Sequence, residues 1–392
     1  MNEELRRILR MVSEGKLTPE QAQMLIEALM AKPGGERARR RGEDAFEEAM
    51  EQLRKAFQGV DWKRIQQEWR RISEEIREQT RRGWEEAQRA FRGMGRWDID
   101  LRLGAVQDVE FDQTVDIPAG ARLIVQNMLG DVRVQGQEGT SQMRVRAEGA
   151  IRAEGPEQAG READVWAPVI EQRGEVVFVR LARAGRFASA DVDITVPVGV
   201  AVEIQSTVGD VVVEGTRAAA SVESATGDIT VRESAGRIAA ISASGDIHLQ
   251  RCDAENIDLQ TKSGDIECEE CACSGLLGLV ARTASGDMEI RRLRAQQVQL
   301  NSVSGEIRLS LVEPFHGEAQ VQNISGDVLV DLPAGSACSV RVFAPDGNLY
   351  NHLPVEMQRN ERGEWEGTLG TGTEIGRLSI RTINGDVTLR SV

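Results

Sequence analysis

From about residue 98 to the C-terminus, apolar and polar residues alternate with a period of two, and a recurring corner punctuates the alternation. Aligned on its glycine, the corner occurs nine times, at Gly130, Gly209, Gly227, Gly245, Gly264, Gly286, Gly305, Gly326 and Gly385. From Gly209 to Gly326 the spacings are 18, 18, 19, 22, 19 and 21 residues. Seven and five residues before each glycine the side chain is apolar, as at Val202 and Ile204 or Leu378 and Ile380. Three before, it is Ser, Thr or Asn: Asn127, Ser206, Ser224, Ser242, Thr261, Thr283, Ser302, Asn323 and Thr382. An acid follows every glycine: Asp131, Asp210, Asp228, Asp246, Asp265, Asp287, Glu306, Asp327 and Asp386. Two and four residues after it the chain is apolar again, as at Ile247 and Leu249.

Two short half-buried strands therefore flank each corner. One such unit cannot cover its own apolar face, so copies must stack, and a repeat of about 20 residues is the signature of a solenoid. The predicted fold is mainly β, a β-solenoid of the parallel β-helix type over residues 98–392, preceded by an α-helical N-terminal region. Stacking places equivalent side chains ~4.8 Å apart. The Ser/Thr/Asn position shares the inward parity of the apolar pair before it and predicts a ladder bonded to itself or to the corner backbone. The glycine-acid pairs read as structural turns. Carboxylates at that spacing repel by roughly 1 kcal/mol per pair in water, so turn N–H groups or bound cations must offset them.

Residues 136–190 read as a strand-and-loop extension, and residues 331–377 carry a degenerate corner at Gly347. Before residue 98 the period is helical. Leu5, Ile8, Leu9 and Val12, then Ala22, Leu25, Ile26 and Leu29 behind Thr18-Pro19, predict a helical hairpin over 1–32. It is too small to bury a core alone, so it predicts association with itself, a partner or the rest of the chain. Residues 33–97 form a charged amphipathic helical and linker region with apolar stripes such as Phe46, Met50, Leu53, Phe57 and Ile65, Trp69, Ile72, Ile76. Those stripes have three readings: packing against a partner helix, docking on the β body, or contact with a membrane surface.

Charge changes this picture. Of 48 basic and 63 acidic residues, 21 and 18 lie in residues 1–97, leaving 27 basic and 45 acidic residues beyond. The β region thus carries a net −18 and excludes a nucleic-acid binder. Aromatics make up only 4% of the chain. No apolar run approaches a membrane span, and the opening MNEELRRILR lacks a leader-like apolar stretch, so the expected location is the cytoplasm, with peripheral membrane contact as the variant. Five cysteines, unevenly placed, argue against a disulfide framework.

The β region resembles a bacterial putative-adhesin β-repeat family, a domain of unknown function built of stacked SGD-type units. The stretch SEGKLTPEQAQMLIEAL is similar to the LiaX/YvlB-like N-terminal helical domain. This resemblance implies a role in bacterial cell-envelope stress and carries over no catalytic residues.

Candidate chemistry is sparse. Cys268, Cys271 and Cys273 have C-x-x-C-x-C spacing, with Cys252 about one coil earlier, and are the candidate metal ligands. Cys268, however, falls on an inward apolar position where cysteine serves as a small hydrophobe. His248 sits at an outward position, and His316 and His352 lie far from it in sequence. Arg291, Arg292 and Arg294 beside Asp287 could imitate the charged face of a polysaccharide-cleaving β-helix, or be ordinary surface charge. No phosphate loop, nucleophile elbow or metalloprotease helix is present. The expectation is a non-enzymatic scaffold or sensor without a cofactor, binding protein partners or itself. The rivals are an exported adhesin-like or polysaccharide-active β-helix and a metal-binding cysteine sensor.

Overall fold

The computed structural model describes residues 105–153, 155–164, 166–181, 187–360, 364–370 and 375–392. The helices expected over 1–32 and 33–97 lie outside the described residues. The described chain is mainly β, with one helix, Pro156–Ala163.

Each regular coil gives one strand to each of two sheets. Ala220–Thr226 lies in a 15-stranded sheet; after the corner at Gly227 and Asp228, Ile229–Arg232 lies in a 13-stranded sheet. The next coil repeats this with Ala235–Ser244 and Ile247–Gln250. Pairing is parallel and in register with the repeat: Val222 faces Ile204 and Ala240, and Ile229 faces Val211 and Ile247. Alternation does the rest. Inward residues such as Ile204, Val231, Ile247 and Leu300 are fully buried and join one continuous core between the sheets. Each such side chain contributes roughly 1.5–3 kcal/mol relative to remaining exposed.

The corner glycine is sterically required. Gly264 has φ +147°, and a Cβ there would lie 2.2 Å from the carbonyl oxygen of Gly245 one coil before. No L-residue fits both the dihedral and the approach.

At the ends, spatial order departs from chain order. The coil turning at Gly385 inserts between the coil turning at Gly326 and the degenerate one at Gly347, so Gly376–Arg381 pairs with both Glu318–Gln322 and Cys338–Phe343. At the other end the described residues of the extension over 136–190 form the expected strands and add a helix. Gln142–Ala153 pairs antiparallel with Ala105–Asp116 and with Phe187–Pro197. The single helix packs on the first two of these strands with Ala159 buried, and Trp166 after it is 8% exposed. The N-terminal end of the stack is thereby capped, as solenoids require.

Candidate binding edge

The acids after the corner glycines form a hydrogen-bonded ladder that, among the described bonds, is interrupted at Glu306. Oδ1 of each Asp accepts the backbone N–H of the acid one coil on: Asp210 to Asp228 at 2.9 Å, Asp228 to Asp246 at 2.8 Å, Asp246 to Asp265 at 2.7 Å, and Asp265 to Asp287 at 2.7 Å. A charge-assisted bond contributes about 1.5–3 kcal/mol where shielded and less in water, enough to offset a repulsion of roughly 1 kcal/mol. The bonds use one oxygen of each carboxylate on residues that are exposed or half-exposed.

The ladder is longer than the sequence motif. Asp191 begins it, accepting from Asp131 at 2.8 Å, with Ala190 in the place of the corner glycine. Asn348 ends it, donating its N–H to Asp386 at 2.8 Å. The sequence concealed Asp191 because its strand reaches the stack out of chain order and lacks the glycine.

The inward polar positions divide by residue type. Thr261, Thr283 and Thr382 donate to the glycine carbonyls of Gly245, Gly264 and Gly326 at 3.2–3.3 Å, and Asn323 Nδ2 reaches Gly305 at 2.9 Å. Corner-backbone bonding is therefore found for Thr and Asn. It is not found for Ser206, Ser224 and Ser242, whose hydroxyls have no protein partner, while Ser302 donates to the Ser304 carbonyl of its own coil at 3.3 Å. The branched Cβ of threonine restricts χ1 and holds its hydroxyl at the carbonyl; serine has no such restriction.

A second corner, six residues after Gly209, Gly227, Gly245, Gly264 and Gly286, has no counterpart in the sequence pattern. Gly215, Glu233, Arg251, Glu270 and Arg292 stack there with φ between +49° and +69°. Their charges alternate, and Arg251 pairs with Glu233 at 2.7 Å and Arg292 with Glu270 at 3.1 Å. Positive φ on Glu and Arg costs on the order of 1 kcal/mol each, and no residue-type signal announces it.

This corner also accounts for two of the cysteines. The next position points inward as a row: Thr216, Ser234, Cys252 and Cys271, all at most 1% exposed. Thr216 Oγ1 donates to Ser234 Oγ at 3.2 Å, Cys252 reaches the Gln250 carbonyl at 3.5 Å, and Cys271 reaches that of Glu269 at 3.4 Å. Cys268 fills the core between Leu249 and Ile290. The contact with Cys271, then burial, pushes the Cys252 thiol far up. For Cys271 the Cys252 contact lowers the value, but the Cys268 contact and burial outweigh it. Burial, then the Cys271 and Cys252 thiols, pushes Cys273 up to about 12. Raised in this way, the three thiols favour the protonated form over the reactive thiolate.

The remaining candidates separate. Arg291 pairs with Glu289 at 2.5 Å, Arg292 with Glu270, and Arg294 with Glu313 at 3.9 Å, so none of these ion pairs involves Asp287. His248 stands outward, Nδ1 3.2 Å from Glu267 Oε2. On the 15-stranded sheet, burial and then the charge of Glu203 raise the Glu223 carboxyl. At the C-terminal end a groove of about 470 Å³ opens beside strand Leu349–His352, lined by Leu349, Val355, Met357 and Trp365 with Asn351 and Glu356. No described helix is long and apolar enough to cross a membrane.

Residues 3–34 match a SHOCT-like domain. The chain is similar to a "putative adhesin" of known structure from Parabacteroides distasonis ATCC 8503, at 11% identity, covering 74% of this chain and 98% of that one, with a TM-score of 0.33. It is also similar to a "putative adhesin" from Bacteroides fragilis NCTC 9343, at 11% identity, covering 72% and 97%, with a TM-score of 0.31. No curated protein matches. Residues 122–390, most of the chain and all nine glycine corners, match the family described as Toastrack DUF4097, to which this protein belongs.

Proposed function

We propose that the protein is a non-enzymatic interaction scaffold whose solenoid presents its carboxylate ladder as a rigid multivalent edge. One observation carries the reading: each laddered Asp spends one oxygen on the neighbouring coil, which fixes its orientation and leaves a row of negative charge at strand spacing. A preoriented row of like charges suits a basic protein surface, and several such rods held together would bind by avidity. The N-terminal region 1–97 supplies that association, and the setting is the envelope-stress response of a bacterial cell.

The test exploits the ladder's own chemistry. Replacing Asp265, Asp287, Asp327 and Asp386 by Asn keeps an acceptor at each rung and removes the charge. Partners that co-purify from native cells with the wild type and vanish with this variant support the reading; an identical partner set overturns it. Light scattering of the chain lacking residues 1–97 must show a smaller assembly, with β circular dichroism unchanged. Recovery of the protein outside the cell would favour the exported adhesin-like alternative.

The C-terminal groove favours a second mode. Strand Leu349–His352 ends the 13-stranded sheet beside exposed Tyr350 and the apolar wall of Trp365 and Met357. An extended segment of a partner adding to that edge would seat alternate side chains in the groove. Trp365→Ala must then release a partner that the ladder variant retains.

A further inference from the structure

The ladder is uniform in its acids but not in what stands beside them. Two residues beyond each ladder acid, on the same outward face, the chain places Arg133, Val212, Thr230, His248, Glu267, Glu289, Arg308, Leu329 and Thr388. Only one of these nine offers an imidazole. It lies where a ring nitrogen of His248 and one carboxylate oxygen from each of Asp228 and Asp246 all fall within 4.8 Å of one another.

We propose that Asp228, Asp246 and His248 form a binding site for a borderline divalent transition-metal ion of the Zn2+ and Co2+ class.

Three features beyond the donor set favour it. The imidazole already has the partner that metal-bound imidazoles use: Nδ1 lies 3.2 Å from Glu267 Oε2, on the strand that pairs with it. A carboxylate at one ring nitrogen fixes the orientation of the ring. Both aspartates are likewise held from behind, since Oδ1 of Asp228 accepts from Asp246 N–H and Oδ1 of Asp246 from Asp265 N–H. Finally, Asp228 and Asp246 are half-exposed, while the flanking rungs Asp210 and Asp265 are exposed. Asp228 and Asp246 immediately precede two adjacent strands, Ile229–Arg232 and Ile247–Gln250, which pair parallel and in register, and His248 lies on the second, so little ordering is needed on binding.

The chemistry sets the ion class. Two carboxylates and one imidazole give a mixed oxygen and nitrogen set with positions left for water. Imidazole discriminates against Ca2+ and Mg2+, which take all-oxygen shells. The dication would also neutralise adjacent rungs that otherwise repel. The ion is held and not transformed, so no electron or proton balance enters.

The probe is CoCl2 titrated into the full chain, read by its visible d–d absorption and by calorimetry. The expected result is one Co2+ per chain with weak visible bands, displaced by Zn2+ and not by equimolar Ca2+. His248→Ala and Asp246→Asn must each weaken it at least tenfold, and Glu267→Gln by about tenfold. Asp327→Asn, a ladder rung without a histidine, must leave it unchanged. Circular dichroism checks that each variant is folded, and all four positions face outward. Binding unaffected by His248→Ala overturns the proposal. So does displacement by Ca2+, which would mark the carboxylate row itself as the binder, or intense near-ultraviolet thiolate absorption lost in Cys271→Ser.

Discussion

Glu306 turns its carboxylate onto Arg308, 2.9 Å away, and among the described hydrogen bonds none reaches the backbone N–H of Asp327 one coil on. Every other rung from Asp191 to Asn348 is joined to its neighbour at 2.7–2.9 Å. The ladder therefore has one gap, at its only glutamate. The extra methylene carries the carboxylate past the neighbouring amide and within reach of Arg308, on the strand that follows it.

Glu306→Asp should close that gap. The expected gain is about 0.5–1.5 kcal/mol, the net contribution of one hydrogen bond at a partly exposed site. It is read as a rise in the guanidinium midpoint at unchanged slope. An unchanged or lower midpoint would show that the ladder bonds contribute nothing net.

Within the intact ladder, removing the acceptor should cost more than removing the charge. Asp265→Ala leaves the Asp287 amide without its bond and should lose about 1 kcal/mol. Asp265→Asn keeps a carbonyl oxygen at the same place, relieves repulsion from Asp246 and Asp287, and should be near neutral. Equal losses for the two variants would contradict the geometry.

Gly264→Ala places a methyl 2.2 Å from the Gly245 carbonyl at φ +147°. Strain and a broken coil contact together should cost at least ~3 kcal/mol. Thermal unfolding is the measure; a loss under 1 kcal/mol would mean that the corner can open without disturbing the stack.

The two buried cysteine environments make opposite predictions. Cys271→Ser continues a row that already holds Thr216 and Ser234, and should cost under about 1 kcal/mol because the hydroxyl inherits the Glu269 carbonyl. Cys268→Ser buries a hydroxyl between Leu249 and Ile290 and should cost about 1–3 kcal/mol. Neither thiol should react with iodoacetamide in the folded protein at pH 8.

Glu223 gives a pH signature. Its carboxyl is raised in the folded protein by burial and by Glu203, so the native state binds its proton more tightly than the unfolded chain. Stability from this group is present below the unfolded pKa and is lost as pH rises through the folded pKa. Glu223→Gln should therefore stabilise at pH 7, by roughly half a kcal/mol or less at a half-exposed site, and the gain should vanish below pH ~4. A gain that persists in acid would point to packing instead.

Much of this architecture was legible because the repeat is written residue by residue. Val202, Ile204, Ser206, Gly209, Asp210, Val211 and Val213 lie inward, at the corner or outward as parity dictates, since a strand's two faces are set by period alone. The role of the acid was not legible. Its partner is the amide of the next acid, 18 to 22 residues away in the regular coils, and only stacking brings the two within 3 Å. The second corner was hidden for a different reason: Glu233, Arg251, Glu270 and Arg292 are not residue types that signal positive φ, and neighbour-to-neighbour pairing sustains them there.

By itself the sequence determined the β period, the coil length, the glycine corners and the set of inward side chains, because steric and hydrophobic constraints act within one coil. Tertiary structure alone decided which coils are neighbours. It placed Asp191 at the head of the ladder, threaded the Gly385 coil between those of Gly326 and Gly347, and set His248 beside Asp228 and Asp246. Those relations depend on backbone pairing between segments up to 79 residues apart, and pairing partners that share one repeat pattern are interchangeable until the chain is closed into a stack.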